Sequence, residues 1–189
     1  MRVATLALYL ANLGISASGQ TSDSGVDQVL SNSFAATVKA MHANIRRNLA
    51  DAAASMPVEG YGFRPAPQVR TFAQLIGHVT NANFLFCSAA KGEPSPYKQN
   101  AENLTAKDVA LKALLESLAY CDSVYMDTTD TNFGGRASVA GSKPTATTRG
   151  AILIFNTTHN NEHYGNIVVY LRLKGLVPPS TARVQSGPR

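Results

Sequence analysis

Apolar residues recur at steps of three and four along four segments of the chain, which is the spacing of one face of an α-helix. The pattern predicts helices over Val26 to Ala54, Thr71 to Ala90, Thr105 to Met126 and Thr148 to Lys174. The best strand candidate, Ile167 to Leu171, lies inside the last helical pattern. The predicted fold class is therefore all-α, and a four-helix bundle is the simplest arrangement.

Glycine, proline and polar residues mark the connections between these helices. Residues 56–70 hold three prolines and two glycines, and Thr71 with Gln74 has the pattern of a capping box that opens the second helix. The polar segment 127–145 is long enough to form a lid or rim. Gly175 and the prolines after it end the fourth helix. The predicted bundle spans 26–180, with a flexible tail at 181–189.

The first nineteen residues have the pattern of a secretory signal peptide. Arg2 precedes an almost wholly apolar run, and Ala17 to Gly19 supplies small residues before a cut at Gln20. A buried N-terminal helix is the alternative. The interpretation predicts an exported protein, periplasmic or extracellular, whose mature chain begins with a polar lead-in at 20–25. Neither this run nor any other segment is long enough for a membrane span.

Charge argues against a nucleic-acid partner. The formal net charge is +5, and Arg46-Arg47 is the only adjacent pair of basic residues. Nucleic-acid binding needs a concentrated cationic face, and the basic residues here are scattered.

The two cysteines, Cys87 and Cys121, fall on different predicted helices. In an oxidising compartment a disulfide between them is expected. Two separate buried thiols are the alternative.

Three of the four histidines form the candidate metal site. His159 and His163 lie four residues apart, so a helix presents both on one face, and His78 has an inward phase on the second helix. Neutral imidazoles suit Zn, Ni, Cu or Fe, with Zn or Ni favoured and Mn a further alternative. Three ligands leave a coordination position open, as in catalytic sites. His42 is predicted to be partly exposed and not a ligand.

Three further residues are candidates for proton transfer or substrate contact. Glu162 and Tyr164 flank His163, and Asn81 lies one turn from His78. The segment does not have the HExxH pattern of zinc proteases, because the glutamate precedes the second histidine. Glu162 could instead support His159 as a hydrogen-bond partner, and an exposed position is the alternative.

Several of these features together resemble the DinB superfamily of DinB/YfiT-like proteins. They are the histidine in Leu75 to Val79, the HxxxH pair in the fourth helix, and the ending Tyr170 to Pro179. The similarity covers about residues 26 to 180.

The resemblance implies a four-helix bundle of DinB/YfiT type, with a divalent metal held by His78, His159 and His163. It also implies homodimers formed through the helices, and metal-dependent transfers or isomerisations that use low-molecular-weight thiols. The chain departs from the family pattern in two ways. His163 is followed by Tyr-Gly-Asn where the family often has Arg-Gly-Gln, and the export signal separates the protein from cytosolic thiols.

Three functional hypotheses follow. In the first, the chain is a metal-dependent transferase or hydrolase that acts on a small electrophilic substrate through a thiol or water bound to the metal. In the second, it is a non-catalytic metal- or ligand-binding bundle. In the third, the histidines are structural and no metal binds.

Overall fold

The computed structural model describes residues 33–139 and 147–186. The predicted signal peptide, the lead-in and the start of the first helix lie outside these ranges. The described helices are α1 (Phe34–Ser55), α2 (Phe72–Lys91), α3 (Lys107–Met126), α4 (Asp130–Phe133), α5 (Arg149–Leu173) and α6 (Pro179–Ser186). Two 3-10 turns, Val58–Gly60 and Ala101–Asn103, lie in the connections. The all-α class is confirmed.

The four long helices form a bundle in which α1 and α2 lie across a diagonal. Helix α1 packs against α3 and α5, and α2 packs against the same two helices. The connection between α1 and α2 therefore crosses one end of the bundle. It is fixed to the start of α2, where Phe72 N–H donates to Phe63 O (2.9 Å) and Ala73 N–H to Tyr61 O (2.9 Å). Thr71 and Gln74 form the predicted capping box.

The core has two apolar clusters with polar side chains buried beside them. The larger cluster includes Leu49, Ile76 and Ile167, and the smaller one surrounds the disulfide Cys87–Cys121, whose Cα atoms are 5.4 Å apart. The fully buried polar residues include Thr80, Asn83, Ser117, Asn156, Thr157 and Asn160. They bond to one another and to backbone groups, for example through Asn160 Nδ2 and Asn83 Oδ1 at 2.9 Å.

His42 is buried, with only 3% of its surface exposed, and the prediction of partial exposure is wrong. It lies four residues after Val38 and three before Ile45, so it shares the buried face of α1 with them. Met41 points away from this face and is exposed. Its Nε2 lies 2.9 Å from Asp122 Oδ1, and its ring stacks on Tyr125 at 3.9 Å.

Two segments that were expected to be irregular, 127–145 and the tail at 181–189, contain helix or strand residues. Within 127–145, α4 is followed by the strand Arg136–Ala137, which pairs antiparallel with Thr147–Thr148. In the predicted tail, α6 is held by Arg183, whose Nη1 donates to Asp51 Oδ2 at 2.8 Å. These partners are distant in sequence, so local periodicity does not reveal them. Among the described residues, no helix combines the length and apolarity needed to cross a bilayer.

Gly77 is required by the packing of α2 against the turn Ala101–Asn103. A Cβ at Gly77 would overlap the carbonyl of Ala101 and the backbone nitrogen of Glu102. Backbone atoms cannot move aside by rotating a side chain. The absent side chain therefore sets how closely this turn approaches the residue before His78.

A Gly77→Ala variant is expected to be less stable. Overpacking of about 1–3 kcal/mol should exceed the gain of about 1 kcal/mol that alanine brings to a helix interior. Gly165→Ala in α5 is the matched control, because a Cβ there meets nothing within 4 Å and should stabilise the protein. Urea unfolding measures both free energies. A rise in stability for Gly77→Ala would contradict the packing argument.

Candidate metal centre

The structure brings together the three predicted histidines where α2 packs against α5. Their ligand atoms all lie within 4.8 Å of one another. Nε2 of His159 and Nε2 of His163 are 3.1 Å apart, one helical turn from each other on α5. The ring of His78, from α2, lies 4.7 Å from the ring of His163 and 5.3 Å from that of His159, measured between centroids.

This arrangement fits a divalent metal ion. Two nitrogens bound to one tetrahedral zinc at 2.0–2.1 Å are about 3.3 Å apart, close to the separation of the two Nε2 atoms. Imidazole is a ligand for Zn, Ni, Cu and Fe alike. No fourth histidine, cysteine or carboxylate joins the cluster within the described ranges. The three histidines could therefore hold a metal ion and leave part of its coordination shell for another molecule.

Burial and neighbouring charge keep the two α5 histidines neutral. Burial, and after it the neighbouring His163 and His78, together lower the pKa of His159 to about 4. Burial also lowers the pKa of His163, and the neighbouring His78 lowers it further. A metal binds only the deprotonated nitrogen, so these lowered pKa values favour metal over proton at neutral pH.

Glu102 supports His78 and was not identified from the sequence. His78 Nδ1–H donates to Glu102 Oε1 at 2.9 Å, and in this tautomer of the neutral imidazole Nε2 is the nitrogen that can bind a metal. This is the carboxylate–histidine pairing that orients metal ligands in proteins. Burial raises the pKa of the Glu102 carboxyl, but hydrogen bonds from Arg70 and His78 outweigh burial, and the pKa is lowered overall. Glu102 is therefore ionised at neutral pH.

The other predicted site residues do not join the histidine cluster. Tyr164 is buried on another side of α5, where its hydroxyl donates to Ser180 Oγ at 2.9 Å. Glu162 is exposed. Asn81 fixes the turn that carries Glu102. It accepts a hydrogen bond from Ala101 N–H at 2.9 Å and donates one to Asn100 Oδ1 at 2.7 Å. Their assignment to proton transfer or substrate contact remains a prediction.

A cavity of about 670 Å³ opens beside His163. Its lining residues come from the α1–α2 connection, α2, the turn at Ala101–Asn103 and α5; they are Pro65, Gln68, Val69, Arg70, Gln74, Leu75, Glu102, His163, Asn166, Val169 and Tyr170. On another side of the cluster, Phe86 packs edge-on against His159, with ring centroids 5.6 Å apart. A molecule in the cavity would have direct access to His163.

A family model described as the DinB superfamily matches residues 41–167, and the chain belongs to that family. Two solved structures of DinB-like proteins are similar in fold. One, from Bacillus cereus, is 16% identical with a TM-score of 0.59 over 71% of this chain and 89% of that one. The other, from Bacillus subtilis, is 22% identical with a TM-score of 0.59 over 74% and 92%. None of the curated proteins matches this chain.

Removing the carboxylate of Glu102 is expected to weaken metal binding. A Glu102→Gln variant should lose about 10–100-fold in zinc affinity, the usual effect of losing such a partner. Glu162→Gln removes the same charge from an exposed site nearby on α5 and should leave zinc affinity unchanged. Competition with a chromogenic chelator measures both. Equal losses in the two variants would mean that net charge, not the bond to His78, controls affinity.

Proposed function

We propose that this chain is an exported metalloprotein that uses a three-histidine divalent metal site as a transferase or hydrolase on a small electrophilic substrate. The observation that supports this most directly is the triad His78, His159 and His163, of which His163 lines a cavity. Structural zinc is normally closed by four protein ligands, and three ligands beside a cavity are typical of catalytic sites.

Each histidine would contribute to such a site through its own surroundings. Glu102 holds the ring of His78 and fixes its proton on Nδ1. Burial keeps His159 and His163 neutral, so their nitrogens are available as ligands. A divalent ion bound here would supply a water or thiol of lowered pKa, a nucleophile at neutral pH. Zn or Ni is the proposed metal, with Fe or Mn as alternatives, since histidine sites select partly by availability.

Export is part of the proposal. The predicted signal sequence at 1–19 and the disulfide Cys87–Cys121 both support an oxidising compartment. Intact-mass measurement of protein expressed with its N-terminal region should give a chain that begins at or near Gln20. A measured mass showing that the exported protein still contains Met1 would contradict cleavage of a signal peptide.

Activity is tested by comparing zinc-loaded, nickel-loaded and metal-free protein. p-Nitrophenyl acetate reports hydrolysis, and cysteine with 1-chloro-2,4-dinitrobenzene reports transfer to a thiol. We expect a metal-dependent rate in at least one assay, with loss of that rate in His159→Ala. Metal bound at one equivalent with no rate in either assay would favour the second hypothesis.

The second hypothesis, a non-catalytic metal- or ligand-binding bundle, has one observation in its favour. Tyr164 and Asn81 are engaged in structural hydrogen bonds, and neither lines the cavity. A protein that only sequesters metal needs no proton-transfer group. The homodimer implied by the family resemblance is compatible with both functions and is tested by light scattering.

A further inference from the structure

Arg70 lines the cavity, and part of its guanidinium group has no hydrogen-bond partner among the described residues. Its Nε donates to Glu102 Oε2 at 3.1 Å and its Nη2 to Glu102 Oε1 at 3.5 Å. Within residues 33–139 and 147–186, these are the hydrogen bonds that the structure gives to the Arg70 side chain. A guanidinium has five N–H donors, so the edge formed by Nη1 and Nη2 remains for a second planar acceptor.

The backbone holds Arg70 in place. Its carbonyl accepts a hydrogen bond from Tyr170 OH at 2.6 Å, which ties the α1–α2 connection to α5. The Glu102 carboxylate fixes one edge of the guanidinium at the same time. A ligand that binds the other edge would meet a side chain already ordered, which lowers the entropic cost of binding.

The charges of Arg70 and Glu102 balance in the lining of the cavity, and a divalent ion on the histidines would make the cavity favour an anion. Arg70 and Glu102 are the charged residues of its described lining, and Glu102 already accepts hydrogen bonds from both His78 and Arg70. A divalent ion on the histidines would add positive charge that this one carboxylate cannot offset. Gln74 contributes a further donor, because its Oε1 accepts from Thr71 N–H and its NH2 group remains for a ligand.

The donors present suit a carboxylate better than a phosphate. Phosphate sites usually add free backbone N–H groups at a helix N-terminus. The N–H groups at the start of α2 already have hydrogen-bond partners within the protein. Thr71 and Gln74 bond to each other, and the N–H groups of Phe72 and Ala73 bond to the preceding connection. The donors that remain are one flat guanidinium edge and the NH2 group of Gln74, and the guanidinium edge matches the two oxygens of a carboxylate.

We propose that this cavity binds a small organic carboxylate through Arg70. The carbon skeleton would lie against the apolar part of the lining, which is formed by Pro65, Val69, Leu75, Val169 and Tyr170. This inference rests on the proposed function in two respects: a bound metal would supply the excess positive charge, and the far end of the ligand would reach the metal position at His163. The binding of the carboxylate itself needs only Arg70 and the cavity.

The test is calorimetric titration of the full chain, metal-free and zinc-loaded, with succinate, its neutral diamide succinamide, and inorganic phosphate. Arg70→Gln should weaken succinate binding at least about tenfold, as expected for loss of a charge-assisted bidentate contact. Arg64→Gln is the matched control, since Arg64 is an exposed arginine of the same connection that does not line the cavity. Arg70→Lys keeps the charge without the planar fork and should bind succinate at an intermediate strength.

The outcomes separate this inference from the metal proposal. Succinate binding to metal-free protein that depends on Arg70 supports the inference even if zinc never binds. Equal weakening by Arg64→Gln and Arg70→Gln would overturn it, as would succinamide binding as tightly as succinate. Binding of phosphate in preference to succinate would overturn the assignment to carboxylates. Zinc uptake and thermal unfolding of each variant show whether the fold is intact.

Discussion

A His163→Ala variant is expected to lose stoichiometric metal binding while keeping its fold. His163 supplies one of the three ligand nitrogens and lines the cavity, and its Nε2 lies 3.1 Å from that of His159. Removing a ligand should weaken affinity more than removing a supporting partner, so we expect a loss of at least about a hundredfold. Elemental analysis of protein purified without chelator or affinity tag measures the occupancy.

His42→Gln is the matched control for this experiment. It also removes a buried histidine, but His42 bonds to Asp122 and stacks on Tyr125, away from the triad. We expect it to keep one equivalent of metal while losing some stability. Full occupancy in His163→Ala would show that the triad is assigned wrongly. Failure of the unmodified protein to take up Zn or Ni would support the third hypothesis, in which the histidines are structural.

Loss of the disulfide is the second change expected to have a large effect. The bond joins α2 to α3 across 34 residues of sequence. In the chain-entropy model, a loop of this length stabilises the folded state by about 3–4 kcal/mol. For a protein of this size, about 2–4 °C per kcal/mol implies that Cys87→Ala/Cys121→Ala unfolds about 10 °C below the unmodified protein. Differential scanning calorimetry measures the shift.

Reductant provides the control for the disulfide. Both cysteines are fully buried, so reduction should proceed only as the protein unfolds. We therefore expect dithiothreitol to lower the unfolding temperature of the unmodified protein and to leave the double variant unchanged. Two titratable thiols in exported, unfolded protein would show that the bond does not form.

The helical fold and the cluster of three histidines follow from local patterns in the sequence. Apolar spacing located the four long helices, and the four-residue interval between His159 and His163 placed both on one face of α5. His78 needed only the correct phase on α2. These features depend on the geometry of single helices, which neighbouring residues determine.

The site residues that the sequence analysis did not identify act through contacts between distant segments of the chain. Glu102 lies in a short turn without periodicity, and it reaches His78 only because Gly77 lets that turn approach α2. Arg70 stands in an irregular connection whose position depends on a hydrogen bond to Tyr170. The fully buried Asn156 and Asn160 would be assigned to the surface by residue type alone.

The disulfide also bears on the order in which the helices separate. Helix α2 carries both Cys87, bonded to α3, and His78, which a bound metal would join to α5. Three long helices would then be cross-linked, whereas α1 is held by apolar packing and by side-chain bonds such as His42 to Asp122. Hydrogen exchange in metal-loaded protein should therefore be faster in α1 than in the other three long helices, and opening of the bundle should begin at α1.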